Sequence, residues 1–146
     1  MPRALIVYVT RSGQTQSIAQ YIAEGIRFTG CDAVIMNAAQ IQKEDQFEGY
    51  DAYVFGSPTY HGDMVPGMKN LLFIASKANL AGKVGGAFGA FGWSGEAVDR
   101  IYDIMQNVFQ MNMVGGPLRL KSASIQGGAQ MAQDYGRELG KRMTGT

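Results

Sequence analysis

Residues 4–27 read ALIVYVTRSGQTQSIAQYIAEGIR, and this stretch decides the fold because a polar loop joins two different hydrophobic patterns. Its first part, ALIVYV (4–9), is continuously apolar, which is typical of a strand covered on both faces of a parallel sheet. Ile18, Ile22 and Ile26 then recur every four residues, which predicts a helix over about 14–28 with one apolar stripe packed on that sheet. The stretch is therefore a predicted βα unit whose loop, TRSGQT (10–15), carries polar side chains.

Composition limits the possible classes of protein. With 146 residues, 46% of them hydrophobic, the chain is expected to form one domain over 1–146. A net charge of +1 without a long basic stretch argues against nucleic-acid binding. The single cysteine, Cys31, cannot form an internal disulfide or a multi-thiolate metal site. No apolar run reaches the roughly 18 residues that cross a bilayer, and MPRALIVYV resembles a strand more than a signal peptide. We therefore expect a cytoplasmic protein without membrane insertion or a metal site.

The rest of the chain continues the alternation of strands and helices, with no internal repeat. The predicted strands are 4–9, 33–36, 52–56, 84–91 and roughly 117–121. The predicted helices are 14–28, a short one near 38–45, and then 67–77, 95–109 and 128–143. This pattern predicts a doubly wound α/β fold, in which a five-stranded parallel sheet of order 2-1-3-4-5 has helices on both faces.

Ligands of such sheets bind beyond the carboxyl ends of the strands, where the strand order reverses. The loops after the first, third and fourth strands are TRSGQT (10–15), SPTYHGD (57–63) and FGWSGE (91–96), and each combines glycine with hydroxyl or aromatic side chains. The order 2-1-3-4-5 brings these three loops together. The hydroxyls and backbone N–H groups of TRSGQT would then surround an anion at the N-terminus of the first helix, although an ordinary N-cap turn also fits this loop alone.

Other classes that bind or transfer phosphate lack their defining residues here. TRSGQT has no P-loop lysine, and the chain has no G-x-G-x-x-G dinucleotide motif. A phosphatase of similar topology needs a cysteine in this loop, but Cys31 lies just before the second strand. A receiver domain needs an aspartate at the end of the third strand, where this chain has Gly56 and Ser57.

The three loops together resemble those of the flavodoxin family. TRSGQT matches the flavodoxin phosphate loop T/S-x-T/S-G-x-T, and GSPTYHGDMVPGMK (56–69) resembles the second flavin loop of flavodoxins and related quinone reductases. AFGWSGEA (90–97) is similar to the third loop in the flavodoxin modules of flavodiiron proteins. The chain is thus identified as a short-chain flavodoxin over essentially its whole length, and the resemblance implies FMN as the cofactor.

The resemblance also implies the roles of individual residues. The first loop would hold the FMN phosphate, while the second and third loops would line the ribityl chain and the flavin ring. The candidate cofactor residues are Thr10, Arg11, Ser12, Gly13, Gln14, Thr15, Ser57, Pro58, Thr59, Tyr60, His61, Gly62, Phe91, Gly92, Trp93 and Gly95. In flavodoxins a glycine-containing peptide at the place of Gly62 and Asp63 commonly turns its carbonyl toward N5–H of the reduced flavin. An ordinary surface or turn role remains the alternative for Tyr60, His61, Gly62 and Trp93.

The nearly neutral charge departs from carrier flavodoxins, which are typically acidic. An acidic rim of Asp63, Glu96 and Asp99 would steer a basic partner, partly offset by Arg11, Lys69 and Arg100, but a solvated surface of mixed charge also fits these residues.

The resemblance implies an electron carrier between redox partner proteins, such as a reductase, a ferredoxin-like protein or a diiron protein, and no catalytic residue is evident. An FMN-dependent NAD(P)H:quinone oxidoreductase and an FMN module serving a diiron oxidase remain alternatives.

Overall fold

The computed structural model describes residues 1–9, 13–60, 63–90, 96–120 and 127–145. Its strands are β1 (Arg3–Tyr8), β2 (Asp32–Asn37), β3 (Ala52–Gly56), β4 (Thr59–Tyr60), β5 (Asp63–Met64), β6 (Val84–Ala90), β7 (Asn112–Met113) and β8 (Leu118–Leu120). Its α-helices are α1 (Gln14–Phe28), α2 (Pro66–Ala75), α3 (Glu96–Asp103) and α4 (Gly128–Thr144). The described elements therefore follow the βα alternation that the hydrophobic pattern predicts.

The central sheet is parallel and has the order β2-β1-β3-β6-β7, with β8 also paired to β6. This confirms the predicted doubly wound arrangement, because the order reverses beside β1. Alternate residues of β1 enter two separate cores: Leu5 and Val7 pack on the side of α2 and α3, while Ala4 and Ile6 pack on the side of α1 and α4. Burial on both faces explains why β1 is continuously apolar.

The predicted fifth strand, 117–121, forms in two segments. Val84 and Gly85 of β6 pair with β7, whereas Phe88 to Ala90 pair with β8. Four residues lie between β7 and β8, whereas only two residues lie between the two parts of β6 that pair with them. The predicted fifth strand therefore carries two additional residues at this point, and they interrupt it. Gly115, with a φ of 61°, and Pro117, which has no N–H to donate, lie in this interruption.

The prediction of a short helix near 38–45 is wrong, because this region forms two 3₁₀ turns, Ala38–Gln40 and Glu44–Phe47. Side chains satisfy the backbone here, since the Asn37 side chain accepts a hydrogen bond from the Ala39 amide at 3.0 Å. Gln46 accepts from the Gln42 amide at 2.7 Å and donates to the Gln40 carbonyl at 2.9 Å. Local bonds of this kind compete with continuous α-helix.

The predicted helix 95–109 begins as α3 and continues as a π-helical segment, Ile104–Val108, whose last turn is closed by the Phe109 amide bonding to the Ile104 carbonyl. None of the helices in the described part of the chain is long and apolar enough to cross a membrane.

Candidate functional site

The carboxyl ends of β1, β3 and β6 lie side by side, because Tyr8 pairs with Gly56 and Gly56 pairs with Phe88. The three glycine-containing loops of the sequence follow these strand ends. The structure therefore brings the described parts of the three predicted loops to one edge of the sheet. This edge includes the reversal of strand order beside β1, where doubly wound proteins bind ligands.

The first loop leads into α1 through Gly13, which has a left-handed backbone with a φ of 84°. The Ser17 amide donates to the Gly13 carbonyl at 3.1 Å, and the Ser17 hydroxyl donates to the same carbonyl at 3.2 Å. No acidic residue lies in the first turn of α1, so its positive end is not neutralised from within the helix. Gln14 and Thr15 occupy that first turn, and the Thr15 residue is only 1% exposed. Thr10, Arg11 and Ser12 lie outside the described residues.

The second loop is held by internal hydrogen bonds. Ser57 is fully buried, and its hydroxyl donates to the Pro58 carbonyl at 2.9 Å and accepts from the Val65 amide at 3.4 Å. Beyond Pro58, Thr59 and Tyr60 form β4, which pairs antiparallel with β5. His61 and Gly62, which join the two strands, lie outside the described residues.

The third loop is described only at its two ends, since Phe91, Gly92, Trp93 and Gly95 lie outside the described residues. Its ends nevertheless lie against the second loop. The Ala97 amide donates to the Thr59 hydroxyl at 3.2 Å, and a Cβ atom at Gly89 would lie 2.8 Å from the Ser57 carbonyl oxygen. The strand before the third loop and the helix after it therefore both approach the second loop closely.

Thr15 and Ser57 are the two buried polar residues of the described chain, and both belong to the predicted cofactor residues. Ser57 finds its partners within its own loop, whereas Thr15 lies in the first helical turn, where anions bind. A helix N-terminus with an adjacent hydroxyl and a left-handed glycine fits the phosphate group of FMN.

Two of the acidic residues that the sequence analysis placed in a rim, Asp63 and Asp99, form ion pairs in the structure. The Asp63 carboxylate lies 2.7 Å from the Lys69 ammonium and 3.6 Å from the Arg100 guanidinium. The hydrogen bond from Lys69, followed by that from the Met64 amide, holds the pKa of Asp63 below its ordinary value. Asp99 pairs with Arg119, a partner that the sequence analysis did not identify. The mixed-charge alternative therefore describes Asp63 and Asp99 better than an acidic surface does.

A cleft of about 420 Å³ lies beside Asp63, between α2 and α3. Met64, Leu72 and Ile104 supply its apolar lining, and Lys69, Arg100 and Asp103 supply its charged lining. Sequence analysis missed this cleft because its residues come from separate elements and carry no motif. Within the described residues, no group of three or more histidine, cysteine, aspartate or glutamate side chains could hold a metal ion.

Comparison with known proteins gives one consistent result. Residues 5–137 match the model of a flavodoxin domain family. The chain is 31% identical to the type A flavoprotein fprA of Rhodobacter capsulatus, over 97% of this chain and 33% of that protein. Among solved structures, a flavodoxin from the domain Archaea superposes with a TM-score of 0.91 at 26% identity, covering 97% of this chain and 99% of that chain.

The flavodiiron protein of Giardia intestinalis superposes with a TM-score of 0.90 at 26% identity, covering 98% of this chain but 36% of that chain. The present chain thus spans about a third of the length of the Rhodobacter and Giardia proteins and nearly the whole archaeal flavodoxin.

Proposed function

Because the chain belongs to the flavodoxin family and its cofactor is FMN, we propose that it is an electron-transfer protein that accepts electrons from one redox partner and passes them to another. In this proposal residues 1–146 form a single FMN-binding domain that works in the cytoplasm. When bound, FMN supplies the redox chemistry, and the protein orients it and tunes its potential.

The N-terminus of α1 is the observation that carries this proposal. Gly13 has a left-handed backbone conformation, and Thr15 is buried in the first turn of the helix. No acidic side chain lies in that turn to neutralise the positive helix end. Such an end binds one phosphate through backbone N–H groups and a hydroxyl. Thr10, Ser12, Gly13, Gln14 and Thr15 are proposed to hold that phosphate, with Arg11 beside it.

The second and third loops are proposed to hold the rest of the cofactor. Ser57, Pro58, Thr59 and Tyr60 would lie along the ribityl chain and the ring. His61, Gly62, Phe91, Gly92, Trp93 and Gly95 would complete the contacts with the ring. Two observations support this assignment: the hydrogen bonds of Ser57 hold the shape of the second loop, and the hydrogen bond of Thr59 ties that loop to α3.

An assay with reduced nicotinamide cofactors tests the carrier against the quinone reductase. The reconstituted protein is mixed with NADH or NADPH, with and without a quinone, and then with a purified flavodoxin reductase. We expect little flavin reduction by NADH or NADPH alone and rapid reduction once the reductase is added. Multiple turnovers with quinone and no reductase would instead establish an enzyme.

A second candidate is an FMN module that serves a separate diiron protein. It is favoured by the match to the flavodiiron protein of Giardia intestinalis, where this chain covers 98% of its own length but 36% of the other. The reduced protein is mixed with a purified diiron oxidase core that lacks its own flavodoxin module, and oxygen uptake is followed. Uptake that saturates with added protein supports this candidate, and uptake equal to that of free FMN contradicts it.

A further inference from the structure

The strand β2 forms one edge of the central sheet, because it pairs with β1 and with no other strand of the described chain. The Asp32 amide donates to the Pro2 carbonyl at 2.9 Å, so the backbone groups of Asp32 face β1. Successive residues of a strand direct their backbone N–H and C=O groups to opposite sides. The groups that point away from the sheet therefore belong to Ala33, Ile35 and Asn37.

The composition of β2 would make this edge attractive to another strand. Residues 33–36 read AVIM, and the side chains of 34–36 are only half-buried. An apolar edge of this kind is a template for pairing with a second chain. A second copy of this chain fits, because two β2 strands can pair antiparallel about a twofold axis at Ile35. Ile35 would then pair with Ile35 of the copy, and Ala33 with Asn37, each pair exchanging two hydrogen bonds.

Side chains already occupy the two ends of this edge. Arg27 Nη2 donates to the Ala33 carbonyl at 2.7 Å, and the Asp32 carboxylate accepts from the Ala33 amide at 2.9 Å. At the other end, the Gln40 side-chain oxygen accepts from the Asn37 amide at 2.8 Å. Pairing of Ala33 with Asn37 of a second copy would therefore have to break these hydrogen bonds first.

The middle of the edge is open by comparison. Within the described ranges, no hydrogen bond is made to the outward N–H or C=O of Ile35. A second copy could form the two hydrogen bonds of the Ile35 pair without displacing any side chain. Since each hydrogen bond contributes little in net terms, and even a complete two-stranded hairpin is marginal in water, that pair alone would not hold two chains together.

We propose that Arg27, Asp32 and Gln40 close both ends of the β2 edge and thereby prevent a second copy of this chain from adding its own β2 strand. Arg27 reaches the edge from the last turn of α1, and Gln40 reaches it from the 3₁₀ turn after β2. This inference is independent of the proposed function, because none of the three residues is among the proposed cofactor residues.

The test is sedimentation equilibrium of the full chain over a series of concentrations, with FMN present. The variant Arg27→Met/Asp32→Ala/Gln40→Met removes all three side-chain contacts and leaves the net charge unchanged. Arg27→Met is also measured alone, because it leaves the contacts of Asp32 and Gln40 in place. Lys141→Met is the matched control, since Lys141 is likewise an exposed cation in the last turn of a helix, α4.

A proline at position 35 tests where the chains pair. Ile35→Pro is added to the triple variant, because proline has no N–H to donate and the Ile35 N–H faces away from β1. Hydrogen exchange of the Ile35 amide is also followed by NMR in the wild type and in the triple variant, at low and high protein concentration.

We expect wild type and Lys141→Met to stay monomeric, and the triple variant to associate at least about tenfold more tightly than wild type, with Arg27→Met between them. In the triple variant, exchange of the Ile35 amide should slow as the concentration rises, and Ile35→Pro should restore the monomer.

A triple variant that associates no more than wild type would overturn the inference, and so would association that Ile35→Pro leaves unchanged. Wild type whose Ile35 amide becomes protected as the concentration rises would also overturn it, because the edge would then be open. If the triple variant does not fold, Arg27→Met decides the question in the same way, and association equal to that of wild type overturns the inference.

Discussion

Thr15 and Ser57 are the two buried residues with a hydroxyl among the described residues predicted to bind the cofactor, and their surroundings differ. The Ser57 hydroxyl is used within its own loop, bonding Pro58 and Val65, so it gives the second loop its shape. Thr15 lies in the first turn of α1, beside the left-handed Gly13. Since a helix N-terminus attracts anions, Thr15 is the described hydroxyl best placed to act on the ligand.

We expect Thr15→Val to weaken FMN binding by about 1–3 kcal/mol, the typical cost of removing a hydrogen bond to a charged group. Valine keeps the shape of threonine, so the packing of this 1% exposed residue is preserved. Titration of apoprotein with FMN measures the loss, and Thr15→Ser, which keeps the hydroxyl, is the control. Equal affinities of wild type and Thr15→Val would make the first loop an N-cap turn rather than a phosphate site.

Asp63 also gives the protein a pH dependence of known sign. Its pKa is lowered in the folded state, chiefly by Lys69, so its contribution to stability is present above the ordinary carboxylate pKa and is lost as pH falls through the lowered one. Urea unfolding at several pH values should show wild type only slightly more stable than Asp63→Asn near neutrality, because partly exposed ion pairs contribute little to stability. The two curves should converge in acid, and a gap that persists or widens there would contradict the ion pair.

At the scale of elements, α1 and α4 approach so closely that their backbones are in contact. A Cβ atom at Gly25 would overlap the Gln133 carbonyl oxygen, and one at Gly136 would overlap the Ile22 carbonyl oxygen. The two glycines therefore set the distance between the helices. Because α1 carries the predicted phosphate loop at its start, this packing also positions the loop.

Gly136→Ala is expected to destabilise the protein by about 1–3 kcal/mol, as overpacking of a tight interface does. Gly67→Ala is the matched control, since Gly67 also lies in a helix but has only ordinary contacts with the Val9 side chain. The better helix propensity of alanine should leave that variant neutral or slightly more stable. Thermal unfolding of both variants measures the difference, and equal stabilities would mean that α1 and α4 separate without cost.

The sequence predicted those elements whose hydrophobic pattern is long and regular. The apolar run of β1 and the isoleucine spacing of α1 place both elements to within a residue. Shorter features depend on side chains that a periodicity cannot reveal. Asn37 and Gln46 replace a predicted helix with 3₁₀ turns, and two additional residues divide the last strand into β7 and β8.

For the whole molecule, topology explains how much of the site was predictable. The strand order that the sequence predicted places the described parts of the three loops at one edge of the sheet, and among the predicted cofactor residues these parts contain Gly13, Gln14, Thr15, Ser57, Pro58, Thr59 and Tyr60. The sequence named Lys69 and Arg100 as cations that offset the acidic rim, but it did not predict that both pair directly with Asp63, because that depends on how β5, α2 and α3 pack together. The roles of all the predicted cofactor residues in binding the cofactor, inside and outside the described ranges, stay predictions.

A single domain should unfold in one cooperative transition whose midpoint rises with FMN. A ligand that binds only the folded state stabilises it by about 2.7 kcal/mol at a hundred times its dissociation constant. Differential scanning calorimetry of the apoprotein, with and without FMN, measures both features. Two separate transitions, or a midpoint that FMN leaves unchanged, would contradict a single FMN-binding domain over 1–146.

The most direct test of the central claim is the identity and amount of flavin that the protein retains. The purified chain is reconstituted with a mixture of FMN and FAD, freed of unbound flavin, and denatured so that the released cofactor is identified by mass spectrometry. The phosphate site at the start of α1 predicts about one FMN per chain and no FAD. Recovery of FAD, or of no flavin at all, would contradict the assignment of this chain as an FMN-dependent electron carrier.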